Sequence, residues 1–330
     1  MKYWLLSLLL LLSLPVAAGR DGKQVAEPVF KQQLTVLERE SEIPQPDWFK
    51  DSFLDLGEDL AEAAQADKLL VLYFHQAGCP YCYNLITRVF ADPLISKRMQ
   101  SDYDLIALDL WGDRIITLPG GEEISEKELA VRLRVQYTPT LIFLSEDTTP
   151  QLRIDGYRPA GNFLAQLERL GEPAPETVRK GATAPATTID MVSDGRPLAL
   201  EFVTDECGQC LHFESDVLER SDTRQLISGY RHIRINISGN PLLKLPSGEE
   251  IRAAEWVARL GLSYYPAWLL FDDSGEEQLR IDSYVRAFHF NSALDYVAGK
   301  SYLKQPEFQR FINARGDRLR ARGKTVHILD

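Results

Sequence analysis

LLVLYFHQAGCPYC, residues 69–82, joins a short apolar run to a pair of cysteines three positions apart. The run has the length and continuity of a buried strand. After the pair, Leu85, Ile86, Val89 and Phe90 recur at helical spacing. The stretch therefore predicts a strand that hands a C-x-x-C to the start of a helix. PLALEFVTDECGQC, residues 197–210, has the same layout and is followed by Leu211, Phe213, Val217 and Leu218. Cys79, Cys82, Cys207 and Cys210 are the 4 cysteines of the chain.

The repeat extends beyond the cysteines. LPGGEEI from Leu118 returns as LPSGEEI from Leu245, YTPTLIFL from Tyr137 as YYPAWLLF from Tyr264, and RIDGYR from Arg153 as RIDSYVR from Arg280. The order is kept, and the offset shortens by a single residue after the cysteines. An internal duplication accounts for this. Each unit reads β-α-β-α-β-β-α, which predicts an α/β fold of two tandem units, each a mixed central sheet flanked by helices.

Within the units, strands are expected at Leu69–Phe74 and Leu198–Val203, at Tyr103–Leu110 and His232–Ile237, and in the proline-headed PTLIFL, PAWLLF and both QLRID segments. Asp92-Pro93 is expected to stop the first helix. Ser125 with Glu128 forms a capping box for a helix running to about Arg134, whose charges read as a solvated face. Trp48–Ala64 should add an amphipathic helix to the first unit. Glu307–Arg322, with Phe308, Phe311, Ile312 and Leu319 on one face, should add another to the second.

The 330 residues are 45% hydrophobic, enough for two packed cores. Net charge is −11, which argues against nucleic acid, whose affinity rests on Lys and Arg meeting phosphates. The N-terminus, MKYWLLSLLLLLSLPVAAG, has a positive Lys2, an apolar Trp4–Leu14 and small residues at Val16-Ala17-Ala18. This is the pattern of a signal peptide cleaved after Ala18 or Gly19. The apolar run is short for a membrane span, so no stable membrane insertion is expected after cleavage. Gly171–Asp190, rich in Pro, Ala and Thr, reads as a linker. The expected organisation is a signal peptide (1–19), an N-terminal extension (20–47), a first domain (48–170), a linker (171–190), a second domain (191–300) and a helical tail (301–330).

Export places the cysteines where thiols become disulfides. Yet a three-residue step closes almost no loop and stabilises little. The spacing suits reversible chemistry. At a helix start, unpaired N–H groups and the helix dipole favour an anion, so the leading thiols, Cys79 and Cys207, are the nucleophiles. Cys82 and Cys210, one turn on, are the resolving thiols. Thr138-Pro139 and Tyr265-Pro266 fall at matching distances downstream, and the residue before each proline must be extended. A Cys₄ zinc site is the other chemistry open to four cysteines. It is disfavoured because each pair opens its own helix in its own repeat. His75, His212, His232, His289 and His327 show no ligand spacing, and no cofactor is expected. Trp111 lies in core or loop packing, or on a partner surface.

Both units resemble thioredoxin folds. DWFKDSFLDLGEDLAEA, YFHQAGCPYC, LDLWGDR, SEKELAVRLRVQYTPTLIF and GYRPAGNFLAQL, all within residues 48–170, resemble the SoxW-type thioredoxins of bacterial sulfur oxidation. So does the tail PEFQRFINARGDRLRARGKTV. The resemblance implies a periplasmic thiol–disulfide oxidoreductase acting on protein thiols and disulfides, supplied by a membrane or soluble reductant. It implies that Pro139 and Pro266 are cis and touch the cysteine pairs. It also gives Glu201, six residues before Cys207, the place of a buried acid that shuttles the resolving thiol's proton; Tyr73 stands there in the first unit. Asp205 and Glu206 oppose a thiolate at Cys207, so the first pair is expected to be the more oxidising and to receive electrons from the second. A disulfide isomerase or oxidase, and a redox-inert adaptor binding peptides at the proline groove, are the alternative functions. A second unit that only supports the first is a further alternative.

Overall fold

The computed structural model describes residues 41–170, 188–192, 194–245 and 247–326. The expected signal peptide and residues 171–187 of the expected linker lie outside the described residues. The first repeat runs α1 (Leu56–Gln65), β1 (Leu69–His75), α2 (Pro80–Asn84), α3 (Pro93–Asp102), β2 (Tyr103–Asp109), β3 (Ile115–Thr117), β4 (Glu123–Ser125), α4 (Glu126–Arg132), β5 (Thr140–Leu144), β6 (Pro150–Asp155) and α5 (Ala160–Glu168). The second runs β7 (Thr188–Asp190), β8 (Leu198–Val203), α6 (Gly208–Phe213), α7 (Ser221–Ile227), β9 (Arg231–Asn236), β10 (Leu242–Lys244), β11 (Glu250–Arg252), α8 (Ala253–Leu260), β12 (Ala267–Phe271), β13 (Glu277–Ile281), α9 (Ala287–Ala298) and α10 (Phe308–Ala321).

The apolar run of each cysteine stretch becomes the inner strand of a four-stranded mixed sheet. β1 pairs parallel with β2 and antiparallel with β5, which pairs with β6; the order is β2-β1-β5-β6. β8 does the same in β9-β8-β12-β13. Alternation splits β1 between two cores: Leu70, Leu72 and Phe74 face α1 and α4, while Val71 and Tyr73 face the layer that holds Cys79 and Cys82. Both pairs are thus presented at the same end of equivalent sheets.

Several expectations need correction. The first helix starts at Leu56, not Trp48. Leu54 takes a positive φ of 65, and the Asp55 carboxylate accepts from the Gly57 and Glu58 amides, so the chain is capped there. Trp48 and Phe49 pack instead on Phe90 and Tyr73. Asp92-Pro93 ends one helix and also opens α3, with Asp92 as its N-cap. After α2 the chain makes a π-helical turn, Leu85–Val89. Leu211, expected on the apolar face, is 70% exposed. Thr188–Asp190, assigned to the linker, is a strand paired parallel with Leu242–Lys244. The capping box at Ser125 and Glu128 is present. Glu126 beside it is buried rather than solvated, and accepts from the Asp109 amide and the Arg114 guanidinium.

The repeats meet through the same loop of each. The Tyr284 amide donates to the Tyr157 carbonyl at 3.2 Å. Gly156, at φ +77, approaches Ser283 so closely that a Cβ would lie 2.4 Å from the Ser283 Oγ. The Tyr137 hydroxyl donates to the Arg280 carbonyl at 2.9 Å. At the centre, an Arg158 Nη donates to Asp282 Oδ2 at 3.0 Å, with Arg158 fully buried. Asp282 also accepts from the Ser263 and Tyr264 amides, and Arg158 lies over the Tyr264 ring. Burial pushes the Asp282 carboxyl up, with Arg158 and these amides pulling against it. α10 leaves the second repeat's core, where Phe308, Phe311 and Ile312 are buried, and sets Arg310 4.5 Å over the Trp111 ring.

Asp282→Asn keeps the shape but removes the charge opposite Arg158. It is expected to lower the unfolding free energy by about 3–5 kcal/mol, because a lone buried cation remains. Adding Arg158→Met should return at least about 1 kcal/mol. Urea unfolding followed by circular dichroism reads both; a double variant no more stable than Asp282→Asn would contradict the pairing.

Candidate active sites at the two cysteine pairs

β1 ends at His75, and Gln76 to Gly78 turn the chain. Gly78 supplies a φ of 66, and its amide donates to the Ser41 carbonyl at 2.7 Å. Cys79 then caps α2 with an extended backbone, and Pro80 opens the helix with a fixed φ. Cys207 caps α6 through its sulfur too, with Gly208 where the first site has Pro80. In both, the resolving cysteine's amide donates to the leading sulfur, Cys82 N to Cys79 Sγ at 3.0 Å and Cys210 N to Cys207 Sγ at 3.1 Å. Each pair is closed as a disulfide. The sulfurs sit where the next available N–H groups of the helix point.

The residues before the downstream prolines come to these cysteines. Thr138-Pro139 and Tyr265-Pro266 are both cis. The Thr138 hydroxyl donates to Cys79 Sγ at 3.3 Å, and the Thr138 carbonyl oxygen lies 3.7 Å from the same sulfur. Tyr265 packs on Val203, Cys207 and Cys210, and burial pushes its hydroxyl up to about 12.

Glu201 is 1% exposed, on the face of β8 that carries Ala199 and Val203. Its carboxylate lies 3.0 Å from His232 Nε2 and 3.7 Å from Arg234 Nε, both on the neighbouring β9. The His232 ring stacks on Trp268 at 5.1 Å. The first repeat has no equivalent acid. Tyr73 is fully buried there, its hydroxyl without a hydrogen bond among the described residues, and burial raises it well above its ordinary range.

The surroundings of the two pairs differ. Asp205, Glu206 and Gly208 around Cys207 are exposed, as is Leu211. The Asp205 carboxylate accepts from Asn236 at 2.6 Å. Around Cys79 the second repeat closes in: Tyr81 is buried, with the His289 ring edge-on at 5.2 Å. Trp111 packs against the first core, donating from Nε1 to Gln76 Oε1 at 2.7 Å. Sequence reasoning named the cysteines, Thr138, Pro139, Tyr265, Pro266 and Glu201, of which Thr138 and Tyr265 are seen against the leading cysteines, and it missed His232, His289 and Tyr81. His232 stands one strand from Glu201, a neighbour that only sheet register supplies. His289 is brought in by docking between repeats, for which the sequence carries no local signal.

A family model described as a thioredoxin-like domain matches twice, over residues 56–171 and 185–298. Similar solved structures include a thioredoxin from Thermus thermophilus, at 28% identity, covering 38% of this chain and 91% of that one with a TM-score of 0.30. A thioredoxin-fold protein from Helicobacter pylori is similar at 23% identity, with 32% and 70% covered and a TM-score of 0.30. The C-terminal domain of Neisseria meningitidis DsbD in the oxidised form is similar at 17% identity, with 35% and 89% covered and a TM-score of 0.27. No curated protein matches.

In the reduced protein the Thr138 hydroxyl is expected to favour the Cys79 thiolate. Thr138→Val should raise the Cys79 pKa by about 1–2 units, the worth of one hydrogen bond to a charged group, and leave Cys207 unmoved. The pH dependence of alkylation by iodoacetamide, resolved by peptide mass, measures both.

Proposed function

Since the chain belongs to the thioredoxin-like domain family in both of its repeats, we propose that it is an exported thiol–disulfide oxidoreductase working through two C-x-x-C sites. One observation carries the reading. At both sites a leading sulfur at a helix start receives the amide of its partner cysteine, at 3.0 and 3.1 Å. An N–H aimed at sulfur favours the thiolate, which is the attacking species. Cys79 and Cys207 attack a partner's disulfide; Cys82 and Cys210 attack the mixed disulfide that results. Two electrons leave the dithiol and the partner is released as two thiols. Thr138, Pro139, Tyr265 and Pro266 shape the ground on which the partner lies. Glu201 takes the proton of Cys210, with His232 leading it outward.

The direction of flow is read from electrostatics. Cys79 has the Thr138 hydroxyl beside it, whereas Cys207 follows two exposed carboxylates. Thiolate stabilisation makes a disulfide easier to reduce, so electrons run from the 207/210 pair to the 79/82 pair. The N-terminal segment and the SoxW-type resemblance support a periplasmic setting, with residues 48–170 and 191–300 as the two redox domains. No helix among the described residues is long and apolar enough to cross a membrane.

Insulin reduction with dithiothreitol tests the activity. Cys79→Ser combined with Cys207→Ser should bring turnover to the background rate, and an unchanged rate would end the reading. Cys210→Ser should accumulate a mixed disulfide with a protein partner, and Cys82→Ser a mixed disulfide with the first site's own substrate. The 79/82 pair should have the higher reduction potential by about 30 mV or more, since one pKa unit in the leading thiol corresponds to about 1.4 kcal/mol and 30 mV in a two-electron couple. Equilibration of each pair with glutathione, the other pair replaced by serine, gives both values.

A further inference from the structure

The walls around the first pair come from both repeats. A cavity of about 210 Å³ opens beside Cys79, lined by Tyr81 and Tyr157 from the first repeat and by Tyr284, Phe288 and Phe308 from the second. α9 and α10 form its roof. The roof is pinned at four places already described: Tyr284 N to Tyr157 O, Tyr137 Oη to Arg280 O, Arg158 with Asp282, and Arg310 on Trp111. Cys79 is 4% exposed and Cys207 8%, so the two pairs differ in their walls rather than in the burial of the leading sulfurs.

Size and lining select an occupant. The space lies below the roughly 300–1,000 Å³ usual for drug-sized ligands. A folded partner brings a surface of about 800 Å² to its interface, and the roof stands where that surface would lie. The lining is largely apolar and includes six tyrosine and phenylalanine rings, beside the polar Gln76, Thr138, His289, Gln309 and Asn313. Its one arginine, Arg320, is paired with Asp317 at 3.0 Å, both side chains about half exposed, and no lysine or carboxylate is among the lining residues. The second pair has the opposite surroundings, with Asp205, Glu206 and Gly208 exposed and Leu211 open to solvent beside Cys210.

We infer that the Cys79–Cys82 pair serves a low-molecular-weight disulfide with an uncharged apolar or aromatic arm, while Cys207–Cys210 serves proteins. This rests on the oxidoreductase reading above and names the substrate class of its first site. In the reduced protein, the Cys79 thiolate attacks one sulfur of RS–SR; that bond breaks, Cys79–S–S–R forms, and RS⁻ leaves with the electron pair and takes a proton from water. The Cys82 thiolate then attacks Cys79 Sγ, closing Cys79–Cys82 and releasing the second RS⁻. The dithiol is oxidised and the substrate becomes two thiols. A dithiol protein restores the pair, and dithiothreitol replaces it in the assay.

The test uses the full chain with one pair removed at a time, Cys207→Ser/Cys210→Ser or Cys79→Ser/Cys82→Ser. Each is prereduced and followed in a single turnover with 4,4′-dithiodipyridine or with insulin. The ratio of the dithiodipyridine rate to the insulin rate should be at least tenfold larger for the 79/82 pair than for the 207/210 pair. Ile312→Trp, which fills the cavity, should slow dithiodipyridine at the 79/82 pair at least fivefold and leave the 207/210 pair unchanged. Phe308→Ala, which thins the roof, should raise the insulin rate at the 79/82 pair at least threefold. Ratios that differ by less than tenfold overturn the inference and assign the cavity to an extended polypeptide, leaving the oxidoreductase reading intact. If neither pair reacts with either probe, both fall together.

Discussion

The buried ion pair between Arg158 and Asp282 sets where everything else lies. Two charges lose their water there, a cost that attraction alone does not recover at such depth. Asp282 is well supplied, collecting a guanidinium and the amides of Ser263 and Tyr264. Arg158 is not: its Nε and one Nη carry no hydrogen bond among the described residues. A contact of this kind adds little net stability, but it is unforgiving of misplacement. If the repeats slid past each other, one charge would be buried alone. From this follow the approach of α9 to Tyr81, the crossing of α10 over Trp111, and the walls from both repeats around Cys79, where Cys207 has exposed carboxylates beside it.

At the sites themselves the chemistry is local. Each leading sulfur takes an amide of its own helix, and that contact comes directly from a strand ending four residues before a C-x-x-C. The two centres then diverge through neighbours rather than through backbone. A threonine hydroxyl and aromatic walls surround one; carboxylates, a tyrosine and a buried Glu201–His232 contact surround the other. Tyr73 and Glu201 occupy matching places under the two pairs. The second repeat thus holds a buried acid where the first holds a buried phenol.

Much of this was legible in the sequence because it is set by nearest neighbours along the chain. Strand runs and the Ser125–Glu128 capping box announce themselves over fewer than a dozen residues, and the duplication and the paired prolines show once the two halves are laid side by side. The failures share a different cause. Trp48 to Phe53 has helical periodicity, yet Asp55 captures the amides that such a helix would need and Leu54 turns the chain. Thr188–Asp190 looks like linker until Leu242–Lys244, distant in sequence, offers it a ladder. Glu126 looks solvated until Arg114 and the Asp109 amide close over it. Leu211 fits an apolar face that its helix does not bury. The roof over Cys79 belongs to the same class, since it depends on how one folded repeat meets the other.

Gly156 and Ser283 stand at equivalent places in the two repeats and press on each other. In a dimer of identical chains, a residue at the twofold axis faces its own copy, and any change in it is doubled. Joining the copies in one polypeptide lifts that restriction: one side can lose its side chain while the other keeps one. The joint becomes handed, like a plug and its socket. Neither half can take the other's role, and a free copy of either half has no matching surface to occupy in its place.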